Sequence, residues 1–318
     1  IRDSLFLSAA GRHREPLSTA WHGHWCVGGG VLRARRAGGG RTAGNPAARA
    51  RRYDPGRGRL TQEKLKLRSV HGVDAHAHVF HRGLKLAEGR RYDPVADATL
   101  TDYLAFLDRI GMAQGVLVQP SFLGVDNSYL LDCLTQSRGR LRGVAVTPEV
   151  MPAPALSALF AAGVRAVRFN LIGRALPDFR SAGWRAQLQR LAEAGLHAEI
   201  QCRGEDAPAL LTALLETLPR VVLDHYGLPP GGDPDHVVVR QILKLAQTGR
   251  VYVKISAPYR FLPPGAAVQT LLRAYWGAFG PVRLLWGSDW PHTQFEQRAD
   301  PQRSLDEICE AIGADSAA

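Results

Sequence analysis

The chain has little cysteine, no long apolar run and, over most of its length, no excess charge. Its four cysteines, Cys26, Cys133, Cys202 and Cys309, show no paired spacing. That argues against a disulfide framework or a zinc knuckle, and a reduced, cytoplasmic setting is the simplest expectation. No apolar run approaches the ~20 residues that span a bilayer. The first residues, IRDSLFLSAAGRHRE, carry an acidic residue before a short apolar patch, with no clean cleavage pattern, so no secretory signal is read there.

The formal net charge of +11 suggests nucleic acid until it is localised. Residues 1–69 hold 15 basic and 4 acidic residues, and the rest of the chain holds 25 of each. The body is therefore neutral, and the basicity belongs to an Arg/Gly/Ala-rich arm without helical or strand periodicity. Such composition cannot bury enough apolar surface to offset chain entropy, so residues 1–69 are expected to be a disordered extension. Binding of nucleic acid through the arm is one reading of it. A passive extension is favoured, because no aromatic residues interleave the arginines.

From residue 70 to 318 short apolar runs recur: HGVDAHAH (71–78), GVLVQP (115–120), GVAVT (143–147), VRAVRF (164–169), HAEIQC (197–202), VVLDH (221–225), VYVKIS (251–256) and VRLLWGSD (282–289). Each has the length and Val/Ile/Leu content of a strand buried on both faces. Stretches with apolar residues three and four apart lie between them, at 100–111, 128–137, 155–163, 184–195, 207–218, 235–249, 267–280 and 303–313. Eight strands alternating with helices predict a (β/α)8 TIM barrel in one domain. An open doubly wound sheet would want a Gly-rich turn after its first strand, and HVFHRG is not one.

The first run poses the chemical question. Strand periodicity places Asp74, His76 and His78 on one face, pointing into the barrel. His76 and His78 fall toward the carboxyl end of the strand, where such barrels keep their chemistry. Asp224 and His225 end the sixth run, Asp289 ends the eighth, and His292 follows three residues later. Single buried histidines are usually core residues and HxH alone is weak. With GSD at strand eight the set reads as catalytic. His197 begins strand five and belongs to the structural end, His22 and His24 lie in the arm, and His236 opens a helix. Arg168, Arg174 and Arg260 fall at the mouth, where a guanidinium fork suits a carboxylate. Ser121 and Tyr92 sit on mouth loops, Asn127 reads as loop-structuring, and Gln201 ends strand five. Trp286 is expected to pack against helices, and Trp290 either to wall the pocket or to cap the barrel.

DAHAHVF, VQPSFLGVDNSYLLD (118–132), VRFNLIG (167–173), SAPYR (256–260) and LLWGSDWPHTQ (284–294) together resemble the amidohydrolase superfamily. More narrowly, they resemble the amidohydrolase-related branch of lactonases, 2-pyrone-4,6-dicarboxylate lactonase among them, and metal-dependent decarboxylases. The resemblance covers roughly residues 70–300. It implies a longer final helix than the segment ending in GADSAA offers. It also implies a tyrosine near the end of strand five, where Gln201 stands, so a different small carboxylated ring compound is expected as substrate. Metal-dependent relatives add a strand-five histidine or a strand-four carboxylate, and neither is present here. The expectation is lactone or ester hydrolysis with no cofactor favoured. Asp289 would be the general base, with His76, His78 and His225 around the carbonyl oxygen. The alternative is one zinc or manganese ion on His76, His78 and Asp289, with metal-dependent decarboxylation or C–C hydrolysis as the second enzymatic reading.

Overall fold

The computed structural model describes residues 72–263 and 268–315. The expected arm at 1–69, with His22, His24 and Cys26, lies outside these. The strands are β1 (Val73–Ala77), β2 (Gln114–Val118), β3 (Leu141–Ala145), β4 (Val164–Asn170), β5 (His197–Gln201), β6 (Val221–Leu223), β7 (Val251–Ser256) and β8 (Leu284–Gly287). Alternating with them are α1 (Leu100–Ile110), α2 (Ser128–Gln136), α3 (Ala153–Ala161), α4 (Ala182–Glu193), α5 (Ala207–Leu215), α6 (Val237–Leu245), α7 (Gln269–Phe279) and α8 (Pro301–Asp315). The strands pair in parallel in chain order within one sheet, the TIM barrel that the alternation predicts. The last helix is longer than the 303–313 run suggests and buries Leu305, Ile308 and Ala311.

Local signals place the helices. Thr99 and Asp102 form a reciprocal capping box at the start of α1, and Gly111, at φ 72°, ends it. Tyr103, Phe106, Leu107 and Ile110 give α1 its buried stripe. His236 caps α6, its Nδ1 accepting from the Val238 N–H at 3.3 Å.

The inner face of the sheet carries two small apolar layers. One joins Val73, Val116, Val118, Val144 and Ala166, and the other Ala75, Val222 and Leu285. The opposite face, with Leu117, Val167, Ile200, Val253 and Trp286, packs into the large core shared with the helices.

The seam between β8 and β1 is closed beyond the end of β8. The Asp289 N–H donates to the His76 carbonyl at 2.8 Å, and the His78 N–H to the Trp290 carbonyl at 2.7 Å. Gly287 allows this approach, since a Cβ there would lie 2.6 Å from the His76 Cβ. The barrel-closing bonds thus run through the residues singled out for chemistry.

One expectation about direction fails here. Asp74 pairs with Gly115 but Ala77 pairs with Leu117, so β1 carries one extra residue, a bulge. The bulge breaks strict alternation. His76 and His78 face the barrel mouth, whereas Asp74 turns toward α1, where Tyr103 Oη donates to it at 3.1 Å. Asp74 also accepts from the Ser288 N–H at 2.8 Å and from Ser288 Oγ at 2.6 Å. It staples the seam from behind and does not belong to the face of the two histidines.

Candidate active site

His76, His78 and Asp289 meet at the mouth. His76 Nε2 lies 3.2 Å from His78 Nε2, and Asp289 Oδ1 lies 3.7 and 3.6 Å from these two nitrogens. The other carboxylate oxygen, Oδ2, is fully engaged. Tyr259 Oη donates to it at 2.8 Å, and Arg260 donates through Nε at 2.9 Å and Nη2 at 2.6 Å. Oδ1 is buried and has no hydrogen-bond partner. Burial by itself raises the Asp289 carboxyl, but Arg260 first and then the surrounding histidines outweigh it and hold it well below the usual carboxylate range. The site therefore keeps one buried, ionised oxygen free between two imidazoles.

His225 approaches from β6. Its ring centroid is 4.7 Å from that of His76, and its Nδ1 bonds Ser256 Oγ at 2.8 Å. Burial pushes it down to about 3, so it is neutral near pH 7. His292 comes within 3.3 Å of Tyr259 Oη.

Beneath these groups lies a buried ionic cluster. Lys254 Nζ is 2.6 Å from Glu199 Oε2, 3.0 Å from His76 Nδ1 and 3.5 Å from Asp224 Oδ1. Arg168 donates to Asp224 Oδ2 through Nε at 3.1 Å and Nη2 at 2.9 Å, and to Gln201 Oε1 at 2.8 Å. Burial raises Asp224, but Lys254, His76 and Arg168 outweigh it and hold it well below the usual range. Burial, and then the Asp224 charge, push Glu199 up to about 8.

A cavity of about 190 Å³ opens above the cluster. That is on the order of the room a benzene-sized ring needs, roughly 150 Å³. His78, His225, Arg168 and Gln201 reach it from the strand ends, and Tyr92, Ser121 and Arg260 from the loops. Arg174 is exposed, in the turn where its N–H donates to the Leu171 carbonyl at 3.2 Å, and it does not line the cavity. Asn127 bonds the Val125 and Val146 backbone, a loop-structuring part. Trp290 packs on Tyr103 and Phe106 of α1, which makes it a cap outside the cavity.

Four contributors escape the sequence reading. Glu199 and Lys254 are charged residues inside apolar strands, in alternation with Gln201 and Ser256. That anomaly was available, since a buried charge needs a partner. Tyr259 stands beside Arg260 in SAPYR. Arg91 lines the cavity next to Tyr92 and has no ion-pair partner among the described residues. No spacing distinguishes it from any exposed arginine.

The rim is also strained. Of the eight non-glycine residues with positive φ among the described residues, seven follow β6, β7 or β8: His225, Tyr226, Leu228, Ala257, Asp289, His292 and Gln294. Left-handed backbone costs roughly 1–2 kcal/mol per such residue. Here it aims side chains that regular strand ends would not.

His76, His78 and Asp289 form one possible metal-ligand group, and His76, Asp224 and His225 another. Ligand atoms around tetrahedral zinc sit about 3.4 Å apart, so the spacing of the first group is suitable. The proton arrangement is not. Ligation through Nε2 requires a proton on His76 Nδ1, and the Lys254 ammonium, itself only a donor, faces that atom at 3.0 Å. A cation on the second group would sit beside both Lys254 and Arg168. The residues as arranged do not fit a divalent ion.

An eight-stranded parallel barrel with ionisable side chains gathered at the carboxyl ends of its strands, under a cavity, has the layout of a barrel enzyme. The particular lineage follows from comparison. The amidohydrolase family model matches residues 73–317, so the chain belongs to the amidohydrolase family, and it is a hydrolase. It is 35% identical over 240 residues to the 2-pyrone-4,6-dicarboxylate hydrolase of Comamonas testosteroni, covering 69% of this chain and 76% of that protein. A solved structure from Pseudomonas putida, described as a 2-pyrone-4,6-dicarboxylic acid hydrolase, is 40% identical. It superposes with a TM-score of 0.70 over 76% of this chain and 90% of its own. An Acinetobacter baumannii protein of the same description, solved with citric acid bound, is 30% identical, with a TM-score of 0.72 over 76% and 92%.

Proposed function

We propose that the protein opens a small carboxylated lactone, or a related ester, by hydrolysis, with Asp289 as general base. The observation that carries the reading is Asp289 Oδ1: buried, ionised, unpartnered and directed between His76 and His78. A buried acceptor left open in this way calls for a ligand, and a water there is positioned for attack. In the proposed step Oδ1 takes a proton from that water as its oxygen bonds the carbonyl carbon. Hydrogen bonds from His76 and His225 stabilise the oxyanion. The ring C–O bond then breaks, and the leaving oxygen recovers the proton. No metal enters the reaction.

Three guanidiniums favour an anionic substrate. Arg168 and Arg260 each have a carboxylate partner, and Arg91 supplies uncompensated positive charge at the mouth. A substrate carboxylate that draws on Arg260 weakens its hold on Asp289 and makes the base stronger as the site fills. Tyr92 and Ser121 offer hydroxyl contacts. Gln201, which orients Arg168, replaces the aromatic hydroxyl expected at that position, so the ring carried differs from 2-pyrone-4,6-dicarboxylate in that region. The similarity to 2-pyrone-4,6-dicarboxylate hydrolases supports the lactone class.

The test is a screen of mono- and dicarboxylated lactones against purified protein, with and without a strong chelator. Ring opening unaffected by chelator is expected. Release of carbon dioxide, or activity that chelator abolishes and zinc restores, would contradict the reading.

A further inference from the structure

Lys254 is buried in β7 and does not itself line the cavity, yet its Nζ lies 3.0 Å from His76 Nδ1. From there a chain of contacts runs outward. His76 Nε2 is 3.2 Å from His78 Nε2, and His78 Nδ1 is 2.8 Å from the Val118 carbonyl oxygen. The two ends of this chain fix the protons between them. A carbonyl oxygen only accepts, so His78 Nδ1 bears a hydrogen, which leaves Nε2 as the ring nitrogen that can accept. A lysine ammonium only donates, so His76 Nδ1 bears a lone pair and His76 Nε2 a hydrogen. One donor, His76 Nε2–H, then meets one acceptor, His78 Nε2, and every contact is matched.

We propose that Lys254 is a positioning residue that holds His76 as its Nε2–H tautomer, so that the His76/His78 pair presents one hydrogen, shared between His78 Nε2 and the Asp289 side of the site, where a metal-binding pair would offer two lone pairs. Glu199 and Asp224 hold Lys254 in place on its other sides. The alternative tautomer has a partner waiting, since Asp224 Oδ1 lies 3.4 Å from His76 Nδ1 and accepts no hydrogen bond. Removing Lys254 therefore frees His76 to donate to Asp224 and to turn a lone pair toward His78 and Asp289. The use of the Nε2–H as an oxyanion donor rests on the proposed lactone hydrolysis. The tautomer itself does not.

Two measurements test this on the full chain. In long-range ¹H–¹⁵N spectra of histidine-labelled wild-type protein, His76 is expected as the Nε2–H form and His78 as the Nδ1–H form. His76 protonated on Nδ1 would overturn the proposal, and this readout needs no variant to fold. Second, folded Lys254→Met, freed of metal and titrated with cobalt(II), is expected to develop a ligand-field absorption band and to bind at least tenfold more tightly than wild type. A smaller difference would count against it. A chain with the expected tautomers that opens no lactone contradicts the hydrolase reading alone. Lactone hydrolysis with His76 protonated on Nδ1 contradicts the Lys254 role alone.

Discussion

The lower barrel and its upper rim are built from opposite materials. Below, Val73, Ala75, Val116, Val144, Val222 and Leu285 fill the interior with side chains that need only be apolar and close-packed. Above, toward the carboxyl ends of the same sheet, stand His76, Arg168, Glu199, Asp224 and Lys254, all nearly inaccessible and held by one another. The lower layers supply stability without chemistry. The rim takes on buried charge and left-handed backbone, which only the packing beneath and the seam can sustain.

That contrast can be broken at graded cost. Asp74 joins the two regions, because four donors converge on it: the His76 and Ser288 N–H groups, Ser288 Oγ and Tyr103 Oη. Asp74→Ala leaves them unpaired in the interior and is expected to lower unfolding free energy by about 4 kcal/mol, with turnover impaired as the seam loosens. Denaturant titration checks the first effect and steady-state kinetics the second. Leu285→Ala, in the lower layer alone, is expected to cost about 3 kcal/mol in the same titration while kcat stays within twofold of wild type.

His197 sharpens the contrast through pH. It sits at the amino end of β5, and burial pushes it down to about 3. The folded form refuses a proton that the unfolded chain accepts below about 6.5, so its effect is absent at pH 7 and grows as pH falls toward 3. Between pH 7 and 5 this residue is expected to cost about 2 kcal/mol of stability. His197→Leu should remove that share of the acid destabilisation and leave the rim chemistry intact. At the rim, Arg91→Met is expected to raise KM for a carboxylated lactone about tenfold with little change in kcat, the signature of a lost ground-state contact.

The barrel was legible because strands covered on both faces must read as short apolar runs, and all eight stand where those runs do. His76, His78, His225 and Asp289 were legible because polar residues at the carboxyl ends of such strands stand out. Asp74 was misjudged in direction because one inserted residue reverses strand parity, and a bulge leaves no mark in a single sequence. Glu199 and Lys254 were visible as charges in apolar strands, but their pairing spans 55 positions and exists only in the closed barrel. Arg91 lines the cavity and Arg174 does not, because the course of a loop decides which exposed arginine faces the opening.

Asp289→Asn, assayed against a carboxylated lactone under chelator, tests the central claim most directly. A drop in kcat of roughly a thousandfold or more is expected, with the fold retained, since the amide cannot take the proton of the attacking water. Turnover within a few-fold of wild type would show that another group activates the water.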